Sequence, residues 1–275
     1  LIFYNVLVVF ILLGAIELTF TFLLNNPKYI PAKYFQKFKR YYISNDRKII
    51  QFEDNCAVYD SRLFYTLKPG NSIFKNREFN TEYEVNSMGL RDDEESLYKP
   101  KIIVLGDSYA MGWGVDQAYN FAQLLESTNK QKVLNAGISS FGTARELKLL
   151  NQLDYSKTEY LIIQFCANDY TENLSYYEHN YTLKVSSLEN YQKQKEKINR
   201  VNKYYFLKHS IYLGRAIFLE DETAQNPIES AEEEPLYEEL SQAELFLNIL
   251  QSNEAIQQIP NIIISDINYF PTESF

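Results

Sequence analysis

Ser108 is the residue best placed to do chemistry. It sits in Gly106-Asp107-Ser108-Tyr109, directly after the apolar run Lys101-Ile102-Ile103-Val104-Leu105. A serine at the carboxyl end of a buried parallel strand stands where open α/β sheets bind their ligands, and the chemistry it would do there is nucleophilic attack. Gly, Asp and Ser also build ordinary turns, so the tripeptide draws its weight from two further apolar runs downstream. Lys132-Val133-Leu134-Asn135 runs into Ala136-Gly137 and then Ile138-Ser139-Ser140-Phe141-Gly142-Thr143. Tyr160-Leu161-Ile162-Ile163-Gln164-Phe165 runs into Cys166-Ala167-Asn168-Asp169. At matched depth in one parallel sheet, three such strand ends bring their small polar clusters to a single edge.

The elements that must hold these residues are legible as patterns. Each apolar run is short and β-branched, which marks a buried strand rather than a helix. Between them, Tyr119 to Thr128 and Ala144 to Leu153 carry apolar residues at helical spacing, with Thr143 as the expected N-cap of the second. Alternating strands and helices predict a parallel sheet with right-handed crossovers. Ser241 to Gln258 reads as an amphipathic helix leading into a fourth parallel strand, Asn261 to Ile267. Residues 48–99 form a polar, turn-rich extension ahead of this core, with strand-like pieces at Leu63 to Gly70 and Tyr83 to Arg91. An insertion over about 171–240 contains a partly helical stretch from Leu188 to Leu219 and an acidic loop from Glu220 to Glu239.

The amino-terminal end reads differently. Residues 1–24 are almost wholly apolar, and about 20 such residues cross a bilayer as a helix. A cleaved signal would have a shorter apolar region, about 7–15 residues, and a small-residue cleavage site. The segment therefore predicts a transmembrane helix. Glu17 interrupts it and must reach the interface or pair with a neighbouring helix. Residues 25–47 form a basic, aromatic juxtamembrane segment, helical around Ala32 to Tyr42. Its Lys28, Lys33, Lys37, Lys39 and Arg40 would by charge alone place that flank in the cytoplasm.

Composition narrows the function classes. The chain has 275 residues and a net charge of −9, which argues against a general nucleic-acid binder. Cys56 and Cys166 are the only cysteines, enough for one disulfide and too few for a zinc pattern. Neither Gly-x-Gly-x-x-Gly nor Gly-x-x-x-x-Gly-Lys occurs, and Gly112-Trp113-Gly114 fits no phosphate-binding pattern. No cofactor or metal is expected. The 23 Tyr and 18 Phe offer aromatic platforms for sugar rings as well as core packing.

The order of blocks from Pro100 to Tyr170 resembles the SGNH (GDSL-type) hydrolase superfamily. By position, Ser108 matches the nucleophile, Gly137 the glycine whose N–H donates to the oxyanion, and Asn168 the asparagine whose amide donates to it too. Asp107 and Asp169 match supporting positions. The resemblance implies a flavodoxin-like three-layer α/β/α domain over residues 100–275. It also implies a serine esterase or acetyltransferase acting on an acyl ester, such as an acetylated envelope polysaccharide, and an anchored, extracytoplasmic domain. Two departures stand out. Cys166 occupies the usual glycine of the third block, and the family's C-terminal Asp-x-x-His, source of the base, is missing. His179 and His209 are the only histidines, and Tyr176 and Phe206 precede them by three. The base is therefore expected beyond residue 275. The alternative is a non-catalytic SGNH-like module that binds glycan or protein partners in a membrane assembly. Asn86-Ser87-Met88-Gly89-Leu90-Arg91 resembles an Asn-Ser-x-Gly-x-Arg element of membrane-anchored relatives, with Arg91 expected in a loop-stabilising salt bridge.

Overall fold

The structure is a computed structural model that describes residues 2–218 and 241–267. The acidic stretch read over 220–239 lies outside the described residues. In chain order the elements begin with helices α1 (Ile2–Asn25) and α2 (Ala32–Asn45). Strands β1 (Ala57–Asp60), β2 (Phe64–Leu67), β3 (Gly70–Lys75), β4 (Asn80–Val85) and β5 (Ile102–Leu105) follow. Next come α3 (Ser108–Met111), α4 (Phe121–Asn129), β6 (Val133–Asn135), α5 (Thr143–Leu150) and β7 (Tyr160–Cys166). The series closes with α6 (Tyr170–Glu178), α7 (Leu188–Asn202), α8 (Lys208–Phe218), α9 (Gln242–Gln251), α10 (Glu254–Gln258) and β8 (Asn261–Ile267). They fall into two compact units, one formed by residues 2–48 and 196–218, the other by 49–195 and 241–267.

The larger unit carries a four-stranded parallel sheet in the order β6-β5-β7-β8. Its inner strands are largely apolar and buried, as a sheet covered on both faces requires: Ile103, Val104, Leu105, Leu161 and Ile163 are inaccessible to solvent. The chain leaves β5 toward β6 on one side and then crosses to β7 on the other. The connections diverge at the carboxyl ends of β5 and β7, the place where open α/β sheets carry their binding crevice. Leu105 pairs with Ile163, so β7 runs on through Gln164, Phe165 and Cys166 past the end of β5. Two antiparallel hairpins, β1-β2 and β3-β4, come from the extension ahead of the core. Cys56 and Cys166 are buried thiols that are not bonded to each other, so the disulfide that the count allowed is not formed.

The smaller unit is helical. The segment Phe3–Asn25 is 23 residues long and apolar enough to cross a membrane, spanning ~35 Å at the helical rise. Its first half leaves Phe3, Val8, Phe10 and Leu12 more than half exposed, whereas Leu24 packs with Ile30, Phe38, Tyr41, Tyr42 and Leu213. Glu17 meets the neighbouring-helix expectation. Its carboxylate accepts from the backbone N–H groups of His209 (3.2 Å) and Ser210 (2.8 Å), the Ser210 hydroxyl (2.7 Å) and the Tyr204 hydroxyl (3.1 Å). Those amides are orphan donors at the start of α8. At the other end, the Lys37 ammonium donates to the Ala216 carbonyl at 2.6 Å. An anion at the amino terminus and a cation at the carboxyl terminus both complement the α8 dipole.

Candidate active site

The turn that carries Ser108 is built from four directions. Gly106 has φ +152, and a Cβ there would lie 2.6 Å from Gln164 Oε1, so both conformation and space demand glycine. Asp107 caps α3, its Oδ1 accepting the Tyr109 N–H at 2.9 Å. Gln164, on the overhang of β7, accepts the N–H groups of Asp107 and Ala110, each at 3.2 Å. Arg91 closes the far side. It is fully buried and donates to the carbonyls of Gly112 (2.6 Å), Met111 (3.3 Å), Val115 (2.6 Å) and Glu82 (3.4 Å). Its guanidinium also lies 3.8 Å above the Tyr83 ring. The expected salt bridge at Arg91 is therefore replaced by a clamp on backbone carbonyls, and burial lowers its pKa to about 10.

The three strand ends converge. Ile138 N–H bonds to Gly106 O at 3.0 Å, tying the loop after β6 to the end of β5. Gly137 lies so close to α3 that a Cβ would sit 2.5 Å from Met111 N and 2.8 Å from the Ala110 carbonyl carbon. The Asn168 side chain acts on the Asp107 carboxyl, lowering its pKa against the effect of burial. Asn168 is exposed and Ser108 half-buried, so solvent reaches the crevice. Among the described residues the Ser108 hydroxyl has no hydrogen-bond partner. The Gly137 N–H donates to Asn135 Oδ1 at 3.1 Å. Asn135 is itself held through its N–H by the buried carboxylate of Asp92 (2.8 Å), whose pKa burial pushes up to about 6.

Behind the crevice lies a set of buried carboxyls. Asp169 accepts from the Thr143 hydroxyl (3.2 Å) and the Cys166 N–H (3.5 Å). Burial and then the neighbouring Asp107 raise its pKa to about 7. Thr143 thus serves Asp169, and the N-cap of α5 is Gly142 rather than the expected Thr143. Burial also raises the pKa of Asp107, opposed by the Tyr109 N–H and the Asn168 side chain. Glu146 is inaccessible to solvent, and neither of its carboxyl oxygens has a protein hydrogen-bond partner. Burial, then Asp169, Asp107 and Glu172, hold its pKa well above the carboxylate range, because several buried like charges cannot all ionise together.

The two histidines are engaged elsewhere. The His179 ring is held by the Ser175 carbonyl (2.6 Å) and the Lys184 ammonium. His209 lies in the helical unit, bonded to the Thr21 hydroxyl (2.8 Å), with Glu17 and Asp46 each 3.5 Å from its ring. Cys166 ends strand β7 without the positive φ that would demand glycine. Among the described residues no group of three His, Cys, Asp or Glu is arranged to hold a metal ion.

Motif reading picked out Ser108, Gly137, Asn168 and Arg91, and it missed Gln164, Asn135 and Glu146. A lone amide in an otherwise apolar strand was the available signal for Gln164. Glu146 gave none, since a glutamate in the first turn of a helix is ordinary. No family model matches the chain, and no curated protein matches it.

Proposed function

We propose that the chain carries an SGNH-type serine esterase or acyltransferase domain of flavodoxin-like order. In this reading the domain is anchored by α1, exposed outside the cytoplasm, and acts on ester groups of an envelope polysaccharide. The observation that carries the reading is the meeting of three strand ends at the sheet's switch point, with Ser108 on a turn that Gln164 and Arg91 hold rigid. Ser108 Oγ gives its proton to a base and attacks the ester carbonyl. The Ser108 N–H, the Gly137 N–H and the Asn168 amide donate to the oxyanion that forms. The alcohol leaves with the proton, and water or a sugar hydroxyl then takes the acyl group from the serine. Asn135 already engages the Gly137 N–H, so there the transition state exchanges one hydrogen bond for another. His179 and His209 are both held by other partners, and the family pattern assigns the base to the histidine of an Asp-x-x-His.

The open Ser108 hydroxyl and the engaged Gly137 N–H also fit the second reading, a glycan-binding module without catalysis. One experiment separates the two. A fluorophosphonate probe should label Ser108 of the protein, and Ser108→Ala should abolish turnover of small acetyl esters. Asn168→Ala should lower kcat by about 10²–10³ with KM little changed, as for loss of an oxyanion donor. Activity that survives Ser108→Ala ends the enzymatic assignment, and absence of both labelling and turnover leaves the binding module.

A further inference from the structure

The helical unit exposes a second apolar patch besides α1. Tyr204, Tyr205 and Phe206 form the turn just ahead of α8 and are 55%, 46% and 56% exposed. Three consecutive large aromatics left half in solvent mark a surface that something covers. Exposed cations accompany them. Lys197 and Arg200 lie three apart on α7, Lys203 directly precedes Tyr204, and none of the three forms an ion pair among the described residues. Glu196 is the only acid between residues 196 and 206.

Contacts within the unit fix the level of this patch along α1. The Tyr204 hydroxyl donates to Glu17 Oε1 at 3.1 Å, and the His209 and Ser210 N–H groups bond to the same carboxylate. From there α8 runs toward the carboxyl end of α1: Leu213 packs with Leu24, and the Ala216 carbonyl accepts from Lys37. The aromatic turn therefore lies at the end of α8 nearer the exposed apolar half of α1. Lys208, at that same end, is held by Asn45 O and Asp46 Oδ1 at 2.8 Å each. Glu17, His209, Lys208 and Asp46 thus form a buried polar layer. It marks the point where α1 passes from an exposed apolar half to one packed on α2 and α8. Beyond Glu17, the exposed large apolar residues of α1 are Leu18 and Phe22.

We propose that Tyr204, Tyr205 and Phe206, with Lys197, Arg200 and Lys203, form a second membrane contact that seats the helical unit on a bilayer with anionic headgroups. The proposal rests on α1 as the membrane anchor. In it, α1 leaves the hydrocarbon near Glu17 and crosses the headgroup layer toward Asn25, ~12 Å further along the helix. Aromatic rings concentrate at the membrane–water interface, and basic side chains beside them are drawn to anionic lipid. Two observations favour lipid over a protein partner. The patch continues the apolar anchor at the level where α1 becomes packed on protein, and three cations stand against one acid. A second point of contact fixes the rotation of the unit about α1, which a single helix leaves free.

The test is tryptophan quenching in the full chain, reconstituted into vesicles of phosphatidylcholine and phosphatidylglycerol with bromine high on the acyl chains of one or the other lipid. Trp113 is the only native tryptophan, and its signal is subtracted. Emission added by Tyr205→Trp should be roughly halved by brominated lipid, as for a ring at the interface. At low salt, brominated phosphatidylglycerol should quench it about twofold more than brominated phosphatidylcholine at equal mole fraction. Replacing Lys197, Arg200 and Lys203 together by Gln should abolish that preference. Tyr29→Trp, past the end of α1, should be quenched by aqueous iodide and not by brominated lipid. The proposal is overturned if brominated lipid spares Tyr205→Trp, if the two lipids quench it equally, or if Tyr29→Trp is quenched as strongly. Shielding of Tyr205→Trp from iodide without lipid quenching would mean that a protein covers the patch, which also overturns it. Failure of the anchor reading looks different: Phe10→Trp would then escape brominated lipid too. Quenching at Phe10 with none at Tyr205 removes the second contact alone.

Discussion

Glu17 and Glu146 are both buried glutamates, and their surroundings are opposite. Glu17 lies in an apolar helix, and three donors at the start of α8, with the Tyr204 hydroxyl just ahead of it, converge on its carboxylate. Glu146 lies in the sheet unit, its two oxygens unpartnered, with three acids as electrostatic neighbours. Burial alone therefore does not decide what a carboxyl does. Donors that need an acceptor turn it into a structural bolt, while burial and then acidic neighbours push its pKa well up. One glutamate stitches two stretches of chain together, and the other leaves protonatable groups beside the Ser108 turn.

The comparison is broken most directly at Glu17. Glu17→Ala strands backbone donors at the start of α8 and should cost about 3 kcal/mol or more in that unit. Hydrogen exchange at the His209 and Ser210 amides should then accelerate roughly a hundredfold, and unchanged protection would show that α8 does not depend on this cap.

A second effect comes from acid in the sheet unit. Asp92 and Asp169 have native pKa values of about 6 and about 7 against an ordinary value of 3.8. The folded state therefore holds more protons than the unfolded chain across that window. Their contribution to stability is complete below 3.8 and is lost as pH rises through about 6 and about 7, with a slope of up to about 1.4 kcal/mol per pH unit for each group. Denaturant midpoints of the parent minus those of Asp169→Asn should fall with pH over this range. A flat difference would mean that Asp169 titrates as it does in water.

The smallest change is expected from Glu146→Gln, which replaces a carboxyl whose pKa burial raises well above its ordinary value by a neutral amide of the same shape. At pH 4 the midpoint should stay within about 0.5 kcal/mol of the parent, the range of an inconsequential substitution. At pH 8 the variant should be the more stable, because the unfolded parent gains stability by ionising Glu146. Destabilisation at both pH values would show that Glu146 is charged and paired after all, erasing its contrast with Glu17.

Local pattern accounts for much of the sheet unit. The apolar runs at 102–105, 133–135 and 160–166 form strands, and Gly106 and Gly137 stand where a side chain would collide with the turn. The apolar amino-terminal helix and the helix from Ala32 were equally readable, since spacing and hydrophobicity act over a few residues. Register was not readable. The overhang of β7 past β5 is what brings Gln164 under the Asp107 and Ala110 amides.

The sequence by itself determined which segments become strands and helices and which small polar residues lie at their ends, because those choices depend on neighbours a few positions away. Only the tertiary structure decided the rest. It gave Glu17 its partners near residue 209, turned Arg91 onto carbonyls rather than a carboxylate, moved Thr143 from a helix cap to Asp169, and left Glu146 without a donor. The physical reason is that a polar group's role is set by what desolvates it and what it meets there, and both come from chain segments that no local pattern relates.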